Sequence, residues 1–311
     1  MSMRNELKLF AGNANKPIAE DIAKFLKTGL APISLRKFAD GEVFVKIEDN
    51  VRGADCFVIQ PTSPHVNENL MELLIIIDAL KRASAGRITA VMPYYGYARQ
   101  DRKDQPRVPI TAKLVADLLT TAGANRVITM DLHVDQIQGF FSIPVDHLYA
   151  FPVFQDYLSG IDFDLFVSPD VGGVARTRGI ARRMEKEIAI IDKRRSGPNQ
   201  CEVINVIGNI EGKSLVIYDD ILDTGGTIIN ASRALMDQGA KEVRVICVHG
   251  LFSSSPYKKF LESPIKEVAV TNSICQNFPQ DSKFRLFNVA PLIGEAIKRI
   301  HEDLSVSSLF I

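Results

Sequence analysis

Short apolar runs alternate along this chain with helical patterns, and this alternation constrains the fold more than any other feature. The runs are rich in β-branched and aromatic residues, which favour strands, and they cover residues 56–60, 88–92, 127–130, 165–167, 188–191, 215–218 and 243–248. Helical periodicity lies between them, as at 70–83, 112–122, 174–185 and 228–238. The pattern predicts an α/β fold with mainly parallel sheets flanked by helices.

The chain is long enough for two such units. It has 311 residues, 46% of them hydrophobic, and we expect an N-terminal domain over 1–147 and a C-terminal domain over 148–311. A Gly-Ala turn between a helical pattern and a strand-like run occurs within 118–129 and again within 235–245, which favours a duplication. Use of a common helix-ending turn gives the same pattern, so both explanations stay open. A last helical pattern starts near residue 291, and we expect this tail to dock on the N-terminal domain.

Composition excludes several classes of protein. The 37 Lys and Arg balance the 37 Asp and Glu, so no global field attracts nucleic acid or an anionic membrane. Cys56, Cys201, Cys247 and Cys275 lack the spacing of a zinc site, which suggests reduced thiols in a cytoplasmic protein. No apolar run approaches the length of a membrane span.

The strongest candidate site follows the run at 215–218. Asp219 and Asp220 come where the strand is expected to end, which is the edge at which open α/β sheets bind ligands, and carboxylates accept hydrogen bonds from ribose hydroxyls. A loop that opens the next helix then offers backbone N–H groups to a 5-phosphate, and it consists of Asp223, Thr224, Gly225, Gly226 and Thr227. A tight turn with acidic caps is the alternative. Gly212-Lys213-Ser214 could end a Walker A loop, but Ile207 stands where such a loop has its first glycine, so this interpretation is rejected.

A second candidate anion loop follows the run at 165–167. Asp170 stands there before Gly172 and Gly173, and a helix with Arg176 follows. The glycines permit close backbone approach to a diphosphate, while Asp170 is suited to hold Mg²⁺. A helix cap beside basic surface residues is the alternative interpretation, and we would prefer it if the chain had no Asp219 loop.

A basic segment follows the run at 188–191. Residues 192–199 contain Lys193 and Arg195 together with Gly and Pro, so we expect a loop that can move. Cations that arrive with the substrate would stabilise the charge of a phosphoryl-transfer transition state. A solvated surface loop is the alternative.

The N-terminal half offers two further candidates. His133 follows the strand-like run at 126–130 and could bind a metal held by a nucleotide, although a lone His is more often a packing residue. The aromatic and basic loop 93–103, with Arg99 and Gln100, is suited to stacking and phosphate contact. A nucleotide suits this short patch better than a nucleic acid does.

The Asp219 motif resembles the signature of type I phosphoribosyltransferases. Nearly the entire chain is more closely similar to the ribose-phosphate pyrophosphokinases, including Asp131-Leu132-His133 and the segments at 12–15, 50–53, 136–141, 271–273 and 305–307. The resemblance implies two similar phosphoribosyltransferase-like domains. It also implies transfer of the β,γ-diphosphoryl group of MgATP to O1 of ribose 5-phosphate, which gives 5-phosphoribosyl 1-diphosphate and AMP for nucleotide, histidine, tryptophan and NAD synthesis.

The same resemblance assigns roles to the candidate residues. Lys193 and Arg195 would be catalytic, and His133 and Asp170 would bind Mg²⁺. The pyrophosphate loop would contain Asp170, Gly172 and Gly173, and the ribose 5-phosphate loop would be the one already described. ATP would contact Arg99 and Gln100 of one subunit and the partner-facing residues Phe38, Asp40 and Glu42, which on their own resemble an acidic β-turn.

Regulation and assembly are also implied by the resemblance. It implies a homohexamer activated by phosphate and inhibited by ADP, with an effector site formed from Arg52, Ser84, Arg107, Ser305 and Ser307. Pro106 departs from the family pattern, because regulated members commonly have Ser there and Pro lacks the hydroxyl donor. Two other functions stay open, namely a base phosphoribosyltransferase and a sensing regulator or inactive partner subunit. The first-half motifs and the retained basic segment argue against them.

Overall fold

The computed structural model of the chain describes residues 6–194, 203–254, 257–278 and 283–309. The strands are β1 Leu7–Ala11, β2 Ile33–Lys37, β3 Val43–Ile47, β4 Asp55–Ile59, β5 Arg87–Met92, β6 Arg126–Met130, β7 Val145–Leu148, β8 Leu165–Ser168, β9 Glu187–Arg194, β10 Val203–Ile207, β11 Ser214–Leu222, β12 Glu242–Gly250, β13 Glu267–Thr271 and β14 Phe284–Phe287. The helices are α1 Lys16–Phe25, α2 Val66–Arg82, α3 Thr111–Ala122, α4 Phe151–Ser159, α5 Val174–Arg183, α6 Gly226–Asp237, α7 Tyr257–Leu261 and α8 Ala290–His301. Short 3₁₀ turns cover Asp135–Phe140 and Ser307–Leu309.

Two compact units divide the chain. Unit 1 contains Met1–Ala150 with Asn272–Cys275 and Asn288–Ile311, and unit 2 contains Phe151–Thr271 with Gln276–Phe287. The tail of the chain is thus part of unit 1, where α8 packs against α1 and the Phe25 ring lies so close to Gly294 that a Cβ there would clash with it. No described helix is long and apolar enough to cross a membrane.

The sheet of unit 1 has the strand order β1-β4-β5-β6-β7, and all neighbouring pairs are parallel. The inward-facing residues of α2 recur every three or four positions, which is the spacing of one helix face, and include Leu73 and Ile76. They pack with Val58, Ile88 and Leu119 into one buried apolar cluster. Strands β2 and β3 form a separate antiparallel hairpin.

The sheet of unit 2 has the order β10-β9-β8-β11-β12-β13-β14. Every neighbouring pair from β9 to β14 is parallel, whereas β10 runs antiparallel at the edge. Ile217, Val245 and Val268 come from three adjacent strands and are buried in one cluster with Leu235 and Phe260 from the covering helices. The predicted α/β fold class with two mainly parallel sheets is confirmed.

Both sheets contain the same five-strand arrangement. In unit 1 it is β1-β4-β5-β6-β7 and in unit 2 it is β8-β11-β12-β13-β14. In each unit the chain forms the first strand, then an antiparallel pair (β2–β3 or β9–β10), and then the other four strands in chain order. By this order α2 corresponds to α6, and α3 corresponds to α7.

The sequence repeat and the strand order match different elements of the two units. It pairs the α3–β6 turn with the α6–β12 turn, although these turns hold different places in the two sheets. The backbone is left-handed at Gly123 (φ +125°) and Gly239 (φ +88°), and also at Ser84 (φ +65°) in the α2–β5 turn. After each, an Ala N–H donates to the carbonyl five residues back, at 3.1 Å for Ala124, 3.0 Å for Ala240 and 3.1 Å for Ala85. Common turn chemistry therefore accounts for the sequence repeat.

Two strands are longer than the sequence indicated. Strand β11 continues through Asp219 and Asp220 to Leu222, because β12 is equally long and pairs with it as far as Leu222 and Gly250. Strand β9 continues to Arg194 and pairs with β10, so Lys193 lies in a strand and the predicted loop over 192–194 is wrong. Arg195 lies outside the described residues.

The described cysteines are free. Cys56 and Cys247 are buried, and burial raises the pKa of the Cys56 thiol to about 12, which keeps it protonated and unreactive at neutral pH. Cys275 is exposed, and Cys201 lies outside the described residues.

Candidate active site

Paired carboxylates at the end of β11 form the centre of the candidate site in unit 2. Asp220 is 3% exposed, and its Oδ1 accepts a hydrogen bond of 2.7 Å from Nη1 of Arg176. The same Nη1 lies 3.7 Å from Oδ1 of Asp219, which in turn accepts from the Asp220 backbone N–H at 2.9 Å. Arg176 comes from the first turn of α5, so the helix after the β8 loop holds the carboxylates of the neighbouring strand β11.

The two carboxylates influence each other's charge. Burial raises the pKa of Asp219 well above its usual value, the Asp220 charge raises it further, and Arg176 lowers it. A carboxyl group that is costly to ionise gains most from a ligand that donates hydrogen bonds to the anion. Ribose hydroxyls are such donors.

The loop after the carboxylates leads directly into α6. Gly225 has φ +77° in the left-handed region, and a Cβ at this position would clash with the Phe260 ring. Only glycine satisfies both conditions. Thr224, Gly226 and Thr227 are exposed around it, so the first backbone N–H groups of α6 are accessible to an anion.

The loop after β8 is closed by its own atoms. The Ser168 hydroxyl donates to the Asp170 carbonyl at 2.8 Å, and the Gly173 N–H donates to Asp170 Oδ1 at 2.8 Å. A Cβ on Gly173 would lie 3.0 Å from Ser168 Oγ, so this glycine permits the compact turn. Gly172 is exposed beside Asp170 on the same loop.

A separate cavity of about 330 Å³ lies in unit 1. Arg99, Gln100 and His133 line it together, although His133 is far from the other two in sequence. The remaining lining residues are Asp101, Arg102, Asp104, Val108 and Pro109. Gln100 is fixed there, because its Oε1 accepts from the Thr111 hydroxyl at 2.5 Å and its carbonyl accepts from the Ala112 N–H at 3.1 Å.

Backbone contacts fix the segment that carries His133. Asp131 has a positive φ of +37°, and its Oδ2 accepts from the Ala150 N–H at 2.7 Å. The Leu132 N–H donates to Nε2 of buried His147 at 2.8 Å. His133 is half-buried at the cavity. Sequence reasoning missed His147, because nothing in its spacing distinguishes it from a packing residue.

Each unit contains donors of the kind that suit a magnesium ion bound mainly by substrate. Mg²⁺ takes one or two protein carboxylates and completes its shell with phosphate oxygens and water. His133 shares its cavity with the carboxylates of Asp101 and Asp104, and Asp170 is exposed on its loop. Within the described ranges, no group of three or more His, Cys, Asp and Glu could hold a metal ion.

Comparison with known proteins decides the family. A model of the N-terminal domain of ribose phosphate pyrophosphokinase matches residues 7–123, and one of the phosphoribosyl synthetase-associated domain matches 168–311. The ribose-phosphate pyrophosphokinase of Bacillus cereus is 55% identical and covers 99% of this chain and 98% of its own. That of Thermotoga maritima is 52% identical over 100% of both chains. The crystal structure of phosphoribosylpyrophosphate synthetase from Mycobacterium smegmatis has a TM-score of 0.91 and 42% identity, and covers 96% of this chain and 100% of that one.

The chain belongs to the ribose-phosphate pyrophosphokinase family. The predictions of the family, of the fold and of ribose-phosphate diphosphokinase activity are confirmed.

Three other residues that the family resemblance assigns to ATP are not among the lining residues of the unit 1 cavity. Phe38, Asp40 and Glu42 occupy the turn of the β2–β3 hairpin, where the Glu42 N–H donates to Asp40 Oδ1 at 3.1 Å. Phe38 is 49% exposed. The prediction of an acidic β-turn fits this geometry, and the ATP contact of the three residues stays a prediction.

The proposed effector residues come from several segments of unit 1, and the tail contacts the first residues of β4 and β5, in part through a 2.9 Å hydrogen bond from Arg87 to the Ile300 carbonyl. Arg52 and Ser84 lie in adjacent loops at the amino ends of β4 and β5, joined by a 2.8 Å hydrogen bond from the Gly53 N–H to the Ser84 carbonyl. Ser305 and Ser307 contact each other through their hydroxyls at 3.0 Å. Arg107 lies in the loop that leaves the carboxyl end of β5. Val108, next to Arg107, lines the cavity with His133 beyond the carboxyl ends of β5 and β6, whereas Ser84 precedes the amino end of β5.

Proposed function

We propose that the chain transfers the β,γ-diphosphoryl group of MgATP to O1 of ribose 5-phosphate and releases AMP. The carboxylate pair of β11 beside the glycine turn of α6 carries this proposal, because it provides acceptors for a sugar next to donors for a phosphate. The family comparison supports the same reaction.

Ribose 5-phosphate is oriented by unit 2. Its phosphate accepts hydrogen bonds from the backbone N–H groups of 223–227 at the positive end of α6. Its hydroxyls donate to Asp219 and Asp220, which Arg176 holds in place at 2.7 Å from Asp220. These contacts fix O1 for attack on the β-phosphorus of ATP.

ATP is bound by the unit 1 cavity, with Arg99 at its phosphates and Gln100 at the adenine. Phe38, Asp40 and Glu42 of a neighbouring subunit complete the nucleotide site. His133 and Asp170 would hold Mg²⁺, which when bound neutralises phosphate charge and aligns the oxygens of the transferred group. The diphosphate faces Asp170, Gly172 and Gly173.

Charge in the transition state is stabilised by Lys193 and Arg195. Lys193 lies in the part of β9 that pairs with edge strand β10, and an edge strand can move more easily than a central one. Replacement of Lys193 with Ala should lower kcat far more than ribose 5-phosphate affinity, because the contact forms in the transition state. Equal losses of both would contradict this role.

Product analysis tests the reaction directly. The protein is mixed with MgATP and ribose 5-phosphate, and nucleotides and sugar phosphates are separated by chromatography. AMP that forms together with a sugar diphosphate, and only when ribose 5-phosphate is present, supports the proposal. ADP as the product, or turnover that requires a purine base, contradicts it.

Assembly into a homohexamer and control by phosphate and ADP are proposed on separate grounds. Helix α3 and the residue before it expose Ile110, Leu114 and Leu118 at every fourth position, by 36, 54 and 39%. An apolar stripe of this kind suits a contact with a second copy. Since the Arg107 loop leaves the carboxyl end of β5 and Ser84 precedes its amino end, an effector site that uses both would combine two chains. A cytoplasmic location stays a prediction.

A surface variant tests assembly. Leu114→Glu should reduce the mass measured by light scattering and abolish the dependence of activity on phosphate, because charge opposes burial of the stripe. Leu261→Glu, which changes an exposed leucine of α7 in the same way, is the control and should leave both unchanged. A Leu114→Glu protein of unaltered mass would exclude this face as an interface.

A further inference from the structure

Unit 1 contains a buried carboxylate that the proposed reaction does not use. Glu72 lies on the second turn of α2 and is 4% exposed. It forms no ion pair with any residue in the described ranges. A buried charge without a counterion must be stabilised by hydrogen-bond donors, and Glu72 has an unusual number of them.

The donors come from the loops after β1 and β4. Oε1 of Glu72 accepts from the Asn13 N–H at 2.7 Å and from Nε2 of Gln60 at 2.8 Å, while Oε2 accepts from Nδ2 of Asn13 at 2.7 Å. Oε1 of Gln60 accepts in turn from the Ala14 N–H at 3.0 Å. One backbone N–H and two amide groups thus surround the carboxylate, as they would surround a bound oxyanion.

The place of this cluster in the fold indicates which anion the donors suit. Strands β1 and β4 hold the positions in unit 1 that β8 and β11 hold in unit 2. In unit 2 the loop after β8 is the proposed diphosphate loop, and β11 carries Asp219 and Asp220. In unit 1 the loop after β1 meets Gln60 at the end of β4, and Glu72 reaches into both.

Close packing around Gly12 fixes the path of the Gln60 side chain. Gln60 is fully buried, and a Cβ on Gly12 would clash with its amide. Glycine at position 12 is therefore required for Gln60 to cross the loop and reach Glu72. The Gly12 N–H is itself bonded to the Ile59 carbonyl at 3.0 Å, which fixes the loop against β4.

We propose that Glu72 is an internal ligand that fills a phosphate-type anion site of unit 1, so that unit 2 alone accepts a phosphorylated sugar. Removal of the side chain would open a site for inorganic phosphate among the donors of Asn13 and Gln60 that now bind Glu72. The anion site rests on contacts within unit 1. Its assignment to phosphate rests on the proposed function of the equivalent loop in unit 2. The anion site is tested by thermal stability and the proposed reaction by product analysis, so failure of one can be told from failure of the other.

Thermal unfolding of Glu72→Ala tests the inference. Loss of the carboxylate leaves three donors unsatisfied, so Tm should fall by roughly 5–10 °C in sodium chloride. Sodium phosphate at matched ionic strength should then raise Tm by at least about 2 °C more in this variant than in the unmodified protein. Sodium acetate, which resembles the missing group, should do the same.

Asp78→Ala is the matched control, since it removes an exposed carboxylate from the same helix. Its response to both salts should equal that of the unmodified protein. Equal responses in all three proteins overturn the inference, and a response to acetate without one to phosphate overturns the assignment to phosphate.

Glu72→Gln keeps the test decisive if the alanine variant does not fold. The amide has nearly the same volume but turns an NH₂ group toward donors, so Tm should fall although no cavity forms. Phosphate should give no added rescue, because the space stays filled. A Glu72→Gln protein with unchanged Tm would show that the site does not require an anion, which overturns the inference.

Discussion

The loop after β1 and the loop after β8 hold the same place in two equivalent sheets but have opposite surroundings. Glu72 and Gln60 fill the first with side chains from other elements. Within the part of the chain that the structure describes, the second is closed by its own Ser168 and Asp170, and the acidic groups of β11 beside it face Arg176. The difference shows that a shared backbone order does not set function, which depends on the side chains at the strand ends.

The largest expected effect of a substitution is on the carboxylates of unit 2. Asp220→Asn keeps the volume but removes the charge that accepts ribose hydroxyls and pairs with Arg176. Loss of charge-assisted hydrogen bonds of about 3 kcal/mol should lower kcat/KM for ribose 5-phosphate on the order of 100-fold. Steady-state kinetics with varied ribose 5-phosphate measures this.

Asp237→Asn provides the control, because Asp237 is exposed at the end of α6. It should leave kcat/KM unchanged. Parallel losses in both variants would mean that overall charge, and not the β11 pair, governs the reaction.

The next effect concerns the glycine turn of unit 2. Gly225→Ala forces a side chain into left-handed backbone and against Phe260, so we expect a stability loss of about 2 kcal/mol or more and weaker ribose 5-phosphate binding. Gly226→Ala is the matched control for stability, since a Cβ there has only the Thr224 hydroxyl within 4.0 Å. Urea unfolding of both variants compares them. Equal stability losses would contradict the geometric role of Gly225.

A smaller effect with a distinct pH dependence is expected for Asp219→Asn. The pKa of Asp219 is raised by burial and by Asp220, so ionisation of this carboxyl costs stability as pH rises through the raised pKa. The neutral variant should be more stable than the unmodified protein at neutral pH, and the gain should disappear below about pH 4, the unfolded-state pKa. Tm of both proteins, measured from neutral pH to below about pH 4, checks this prediction. A gain that persists in acid would exclude the charge explanation.

The smallest effect belongs to the core of unit 1. The Tyr95 hydroxyl is buried and donates to the Ala112 carbonyl at 2.8 Å in the first turn of α3. Tyr95→Phe should cost about 1 kcal/mol of stability, a Tm decrease of roughly 2–4 °C, with kcat for ribose 5-phosphate unchanged. A large loss of activity at this position would weaken the contrast between a unit 1 core that stabilises the fold and a unit 2 site that binds the sugar.

Local patterns predicted most of the fold. The periodicity of α2 and the runs that became β4, β5, β6, β8 and β12 gave these elements within a few residues. Their positions are set by short-range preferences and apolar spacing. The ends of β9 and β11 were placed too early, because pairing with β10 and with β12 extends both strands through charged residues.

Contacts between distant segments could not be predicted. Sequence placed Asp219, Asp220 and the Gly225 turn together because they are neighbours, and the structure adds that Arg176, from another helix, binds the pair. The structure brings Arg99, Gln100 and His133 together at one cavity, and their roles there stay predictions. Glu72 gave no signal at all, since on one helix face it differs little from any other acidic residue. Its role depends on Asn13 and Gln60, which no local pattern links to it.

Calorimetric titration with ribose 5-phosphate tests the central claim most directly. The account predicts one site per chain in the unmodified protein, loss of this site in Asp220→Asn, and retention of one site in Tyr95→Phe. Two sites per chain, or one site that survives in Asp220→Asn with unchanged affinity, would contradict the assignment of the sugar phosphate to unit 2.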